Sequence, residues 1–377
     1  LYFKEQRFEK AKASTFASTH KVELPESGIL DSIALYIRAK NASDVSGAAP
    51  GNIWHHITKV EVLGNTDKKL FSMTGECAIA KAFFKQGYLP PMRHNEYNLK
   101  SQDLLIPIYW GRRYRDGAFA LDLSKWDKVE VQVTNDFTTS LLTSGELNME
   151  TRLCTYEDYT SPPAKFLKQW EYDADKPDKD ADYIRPKLPT VGMLRALMIQ
   201  LDPDINATTA ECAQDPTGDS YNWKLWFKDR ALTIYDHRPR DIFRDLVGKY
   251  GIACASLKPY PSTTRWTDFI WADIESVAMS HIKENGADVT VLSLEDRRDR
   301  YQRCAFVGGA TFYQAIARGQ FPFHCFEIPW GLVDEEAHWL DLAKYKPIEI
   351  EWYGHKDDNT HRVILEQPIG QGPGSYA

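Results

Sequence analysis

Asp268, Asp273 and Glu275, interleaved with Trp266 and Trp271, are the residues best suited by type to demanding chemistry. Paired carboxylates beside indole faces are how a carbohydrate cleft holds a sugar ring and cleaves its glycosidic bond. Nothing in their spacing sets the carboxylate separation, however, and a polar, aromatic surface loop reads the same way. His55-His56 is the only adjacent histidine pair. Neighbouring residues on a strand point to opposite faces, so the pair makes a poor chelate. His324-Cys325 has the same defect. Arg112-Arg113-Tyr114-Arg115-Asp116 reads as a solvated loop able to form salt bridges to a neighbour. Asn41-Ala-Ser and Asn206-Ala-Thr are formal glycosylation triplets, which mean little without a secretion signal. No P-loop, GxSxG, HExxH or GxGxxG occurs. We expect no catalytic residue, metal site or cofactor, and no enzymatic activity.

The elements around these residues repeat. "LDLSKWDKVEVQV" (121–133) returns as "LDLAKYKPIEIEW" (340–352). Each copy ends in alternation, with Val129, Val131 and Val133 against Ile348, Ile350 and Trp352. Period-two alternation is the mark of a half-buried strand. A second pair stands in the same order. Leu24-Pro25 with Gly28 and Leu30 matches Leu188-Pro189 with Gly192 and Leu194, each leading into an alternating apolar run. Pro and Gly together mark a turn that delivers the chain into a strand. Two collinear repeats indicate a duplicated β-domain. The step from Leu24 to Leu188 is shorter than the step from Leu121 to Leu340, so the second copy carries extra residues between its landmarks. Most of the excess should follow Gly251, and a long excursion on a sandwich is usually functional surface.

At 377 residues the chain accommodates two domains of ordinary size. Nineteen Tyr, seventeen Phe and eleven Trp suit β-structure and large interfaces. Six scattered cysteines without CxxC spacing argue for reduced thiols rather than a zinc or disulfide scaffold. A net charge of −7 has the wrong sign for a coat that neutralises phosphates over its surface, so sequence-specific nucleic-acid binding is not expected. No apolar run reaches the ~20 residues of a membrane span. No signal peptide is expected at the first residues.

Residues 1–13, "LYFKEQRFEKAKA", form a short arm dominated by helix formers, with Lys4, Arg7, Lys10 and Lys12 as its cations. Residues 14–160 read as strands with one helix near 72–88 and no βαβ rhythm, which gives an antiparallel sandwich. Residues 161–183 read as a linker, and 184–368 as the second sandwich with its insertion near 255–310. "YNWKLWFKDRALTIY" (221–235) parallels "GNIWHHITKVEVL" (51–63), and "PRDIFRDLVGKYG" (239–251) parallels the first helix. Residues 369–377 read as a loose tail.

The runs Thr19–Ala39 and Ile106–Asp136 resemble the double jelly-roll major capsid proteins of tailless icosahedral viruses, the lineage of membrane-containing phages and adenovirus. The resemblance covers nearly the whole chain and becomes vague between about 255 and 330. It implies an all-β chain of two tandem eight-stranded antiparallel jelly rolls, each with a short helix, and a long loop insertion in the second. It further implies a homotrimer that forms a pseudo-hexagonal capsomer of an icosahedral shell. The partners implied are neighbouring capsomers, penton or vertex proteins and minor capsid proteins. An internal lipid membrane, met through the arm, is also implied. Lys4, Arg7, Lys10 and Lys12 would then face the particle interior, toward lipid or a neighbour. The place implied is the virion, after assembly in the host cytoplasm. A tandem sandwich that binds or cleaves carbohydrate remains the alternative reading.

Overall fold

The computed structural model describes residues 2–42, 53–95, 99–139, 142–143, 146–157, 159, 161–172, 183–184, 187–200, 223–237, 239–258, 265–267, 271–281, 290–294, 304–307, 313–323, 325–330, 335–353 and 362–376. The first copy contains β1 (Tyr2–Ala13), β2 (Thr19–Glu23), β3 (Ile29–Lys40), β4 (Lys59–Gly64), β5 (Lys68–Met73) and helix α1 (Gly75–Gln86). It continues through β6 (Met92–Asn95), β7 (Ser101–Tyr109), β8 (Leu121–Asp122), β9 (Val129–Thr134) and β10 (Asn148–Glu157). After β11 (Lys165–Tyr172) come β12 (Tyr183–Ile184), β13 (Met193–Leu194), β14 (Ala196–Gln200), β15 (Trp223–Phe227), β16 (Leu232–His237) and α2 (Pro239–Tyr250). Then follow β17 (Ala253–Lys258), β18 (Arg265–Thr267), β19 (Trp271–His281), β20 (Thr290–Leu294), β21 (Cys304–Val307) and β22 (Tyr313–Pro322), of which β18 to β21 fall within the insertion near 255–310. The chain closes through β23 (Cys325–Pro329), β24 (Leu340–Asp341), α3 (Leu342–Tyr345), β25 (Ile348–Tyr353) and β26 (Arg362–Gly370).

These strands make two tandem jelly rolls whose sheets merge across the molecule. One sheet runs β1-β10-β3-β7-β6-β17-β22-β19, with β8 added to β3. A second runs β2-β9-β4-β5-β11-β26-β14-β23, and a third β12-β25-β15-β16. Alternation sets the faces. In β9 the three valines are buried while Glu130 and Gln132 are half-exposed, and Leu35, Ile37 and Ala39 of β3 face inward beside them. Thr74 caps α1 by accepting from the Cys77 amide, and Gly87 ends the helix at φ +79°. One hydrophobic core includes residues of both copies.

The duplication extends to individual hydrogen bonds. The Leu24 amide donates to the Val129 carbonyl at 2.8 Å, and the Leu188 amide to that of Ile348 at 2.9 Å. Leu123 donates to Gly28 at 2.9 Å, and Leu342 to Gly192 at 3.0 Å. Trp110 donates to Asp31 at 3.1 Å, and Trp330 to Arg195 at 2.8 Å. Helices α1 and α2 are 12 residues each. The turn residues Asn65 and Thr66 (φ 50° and 70°) recur as Asp229 and Arg230 (φ 50° and 68°), and Gly87 recurs as Gly251 (φ 74°). The landmarks up to Gly87 all keep the step that separates Leu24 from Leu188. The shared spacing puts Trp223–Phe227 in the place of Lys59–Leu63, so the match of 221–235 to 51–63 shifts its register.

Three segments differ from the sequence reading. The arm, rich in helix formers and read as a tail or a docking arm, is a strand of its own chain: β1 pairs antiparallel with β10, and that tertiary pairing outweighs a small difference in propensity. Residues 165–172, read as linker, form β11 between β5 and β26. The end of the chain is docked. Gln371 donates to the Ala120 and Pro163 carbonyls at 2.7 and 3.1 Å and accepts from the Asp122 amide, which ties the segment after β26 to the first roll.

Candidate functional site: the seam between the rolls and the open strand edges

Where the two rolls meet, α1 points two lysines into the interior. Lys81 is paired with both Glu327 of β23 and Glu366 of β26. Lys85 Nζ lies 2.8 Å from Glu366 and donates to the Tyr109 and Gly111 carbonyls. Arg195 adds a 2.8 Å contact to Glu366, and the Tyr250 hydroxyl of α2 donates to Glu327 at 3.2 Å. All five charged groups are buried. Burial works against the charge on Glu366, but Arg195, Lys81 and Lys85 override it and hold the carboxyl well below its usual range. Burial pushes the Lys85 ammonium down to about 8; Glu366 opposes the shift while Lys81 and Arg195 add to it. A buried, mutually paired cluster of this kind acts as a structural lock between the rolls, with the Arg195 Nε left without a hydrogen-bond partner among the described residues. Its lysines, four residues apart on a helix, look like a solvent face in the sequence. The readable signal was Glu327 and Glu366, single acids inside the apolar runs "CFEIP" and "RVILEQPIG".

The residues singled out for chemistry do not converge. His55 pairs with Glu76 at 2.9 Å and His56 with Asp136 at 2.8 Å, so the two rings serve different carboxylates. Trp266 lies on β18, in a separate three-stranded sheet, whereas Trp271, Asp273 and Glu275 lie on β19 of the large sheet. Asp268, His324 and Asn206 fall outside the described residues. Asn41 is fully buried and its amide oxygen accepts from Gln102, which gives that triplet a packing role. Among the described residues no group of His, Cys, Asp and Glu could hold a metal, and no helix is long and apolar enough to cross a membrane.

The Arg112–Asp116 loop, read as solvated, closes on itself. Arg112 grips Asp116 with Nε at 2.7 Å and Nη2 at 2.9 Å, and Asp116 is buried. Its neighbours hold β1 instead: the Tyr114 hydroxyl donates to Glu5 at 2.7 Å, and Arg115 stacks over Phe3 at 4.5 Å. Lys4, Arg7, Lys10 and Lys12 are all exposed along β1. Arg7 contacts Glu150 at 2.9 Å and lines an open groove of about 530 Å³ with Tyr36, Arg38, Arg93 and Arg152. β1 and β16 each end a sheet and leave one strand edge unpaired among the described residues.

No family model matches the sequence, and no curated protein is similar to it at the sequence level. Its architecture does have counterparts. The crystal structure of the STIV major capsid protein superposes with a TM-score of 0.58 at 7% identity, covering 97% of this chain and 96% of that one. A chain from the atomic structure of Sulfolobus turreted icosahedral virus gives 0.61 at 7% identity, over 97% and 90%. The major capsid protein P2 of bacteriophage PM2 gives 0.51 at 10% identity, over 98% and 97%. The chain has the double jelly-roll fold of these proteins.

Proposed function

We propose that this chain is the major subunit of an icosahedral viral shell, and that three copies form a pseudo-hexagonal capsomer. The duplication carries the reading. Two bodies whose turns, caps and interstrand bonds recur in the same order present two similar sets of sides, and three such chains around an axis present six. The neighbours in fold are viral major capsid proteins, which supports a place in the virion wall. We divide the chain into a first roll at 14–160, to which β1 adds a strand, and a second at 184–368, to which β11 adds the equivalent strand, a division supported by the matched bonds from Leu24 and Leu188.

Within that reading the insertion near 255–310 projects from the outside of the shell. The exposed Lys4, Arg7, Lys10 and Lys12 serve a contact on the inside, with a neighbouring capsomer or an inner lipid leaflet. Vertex and minor capsid proteins are the remaining partners, and assembly takes place in the host cytoplasm. No enzymatic step belongs to this proposal. The aromatic load supplies interfaces above the ~1,200–2,000 Å² of a standard complex. Buried apolar contacts are not screened by salt. Native mass measurement on the purified chain is expected to report three copies at micromolar concentration, with little change at high salt. A stable monomer under those conditions overturns the capsomer.

A further inference from the structure

We infer that β1 of one chain pairs in parallel with β16 of a second copy, repeating between subunits the junction that β5 and β11 make within each chain. The inference rests on the capsomer reading and names the contact that would close it.

The template is internal. β11 is the second copy's version of β1. Glu5 and Gln6 stand opposite Cys154 and Leu153 of β10. Gln169 and Trp170, displaced from them by the same step as Leu188 from Leu24, stand opposite Glu366 and Leu365 of β26. β11, however, has a neighbour on its other side that β1 lacks among the described residues. Gln169 and Trp170 pair in parallel with Phe71 and Ser72 of β5, which carries the sheet β2-β9-β4-β5 directly into β11-β26-β14-β23. The strand equivalent to β5 by that step is β16, and it is the open end of β12-β25-β15-β16. The open end of β1-β10-β3-β7 is β1. Joining the two edges gives β12-β25-β15-β16 followed by β1-β10-β3-β7 of the next chain. Element for element, this is the order of the sheet that already exists inside one chain.

Burial marks the same two edges. In β5, which β11 covers, Leu70, Phe71 and Ser72 are 0–2% exposed. In β16 the position equivalent to Leu70 is Ile234, 36% exposed, and Leu232 beside it is 44% exposed. Gln169 of β11 is 1% exposed, whereas its equivalent Glu5 is open to solvent, and Phe8 further along β1 is 38% exposed. Three of the large apolar side chains left on the surface among the described residues thus lie on β1 and β16, each unpaired on one side there. An unpaired edge is a template for another strand, and main-chain hydrogen bonds across it supply affinity without special side chains. Applying the β5–β11 register places Glu5 opposite Tyr235 and Gln6 opposite Asp236. The step from roll to roll is then the same within and between chains, and repetition of one step closes a ring of six bodies from three chains.

The test uses the full chain carrying Gln6→Cys and Asp236→Cys together, oxidised with a small-molecule disulfide and run without reductant. Opposed residues on paired strands lie within the 4.4–6.8 Å Cα span of a disulfide. Covalent dimers and trimers are expected from the double variant and from neither single variant. Ile234→Asp provides a second measurement. It should raise the concentration at which trimers dissociate at least tenfold while leaving the monomer's melting temperature unchanged. Trimers by native mass that neither cross-link nor weaken with Ile234→Asp overturn the strand pairing and leave the capsomer standing. A chain that is monomeric before any substitution overturns the capsomer reading instead.

Discussion

Glu366 decides more at the seam than any other side chain. Three cations from two rolls reach it, so replacing it leaves Lys81, Lys85 and Arg195 with only Glu327 among the five charges. Removing one partner of a buried pair costs about 3–5 kcal/mol, because the remaining charge keeps its desolvation penalty. Glu366→Gln is therefore expected to lower unfolding stability by that amount in urea titrations at neutral pH. The pH dependence has a definite sign. The folded carboxyl ionises more readily than the unfolded one, so its contribution is present above the unfolded value of 4.5 and is lost as pH falls below it. The gap between wild type and Glu366→Gln should narrow in acid. Lys85 works in the opposite window. The unfolded chain binds its proton more tightly between about 8 and 10.5, so the Lys85 contribution grows with pH there. Neither lysine was readable as buried, since a helix pattern shows which residues share a face but not what covers that face.

β11 is the element that makes the two rolls one body. It lies between β5 of the first and β26 of the second, and a proline there removes a ladder donor from the middle of a sheet. Lys168→Pro is expected to cost about 1–3 kcal/mol, the penalty of a buried group left without its partner. Because β11 belongs to both rolls, differential calorimetry should show one transition moved down in temperature. Two separate transitions would mean that the rolls unfold independently. Sequence pattern located β3, β4, β9, α1 and α2 because each shows a clear period. β11 gave no such period: Phe166 and Leu167 are adjacent and both buried, since the strand is covered on both faces where the rolls join. β1 was open for another reason. Its lysines, glutamates and alanines favour helix, yet pairing with β10 outweighs a propensity worth a few tenths of a kcal/mol per residue.

At the scale of the whole molecule, the placement of the insertion is open to a direct experiment. If residues near 255–310 project from the exterior, proteases added to intact particles should nick there first, and antibodies raised to that segment should bind particles without disrupting them. A segment protected until the particles are dissociated would reverse the assignment. The described parts of the insertion contain strands rather than only loop, since β19 pairs antiparallel with β22, just beyond the insertion, and extends the first sheet. Sequence by itself determined that the chain is duplicated, which faces of its strands are apolar and where α1 and α2 fall. Alternation, turn chemistry and repeat spacing are local, so they can be read without knowing any contact. Only the tertiary structure decided that β11 bridges β5 and β26, that Lys81 and Lys85 meet Glu327 and Glu366, and that β1 and β16 have open edges among the described residues. Those outcomes depend on which backbone edges and which buried charges arrive at the same place from distant parts of the chain, and a one-dimensional pattern carries no distance between them.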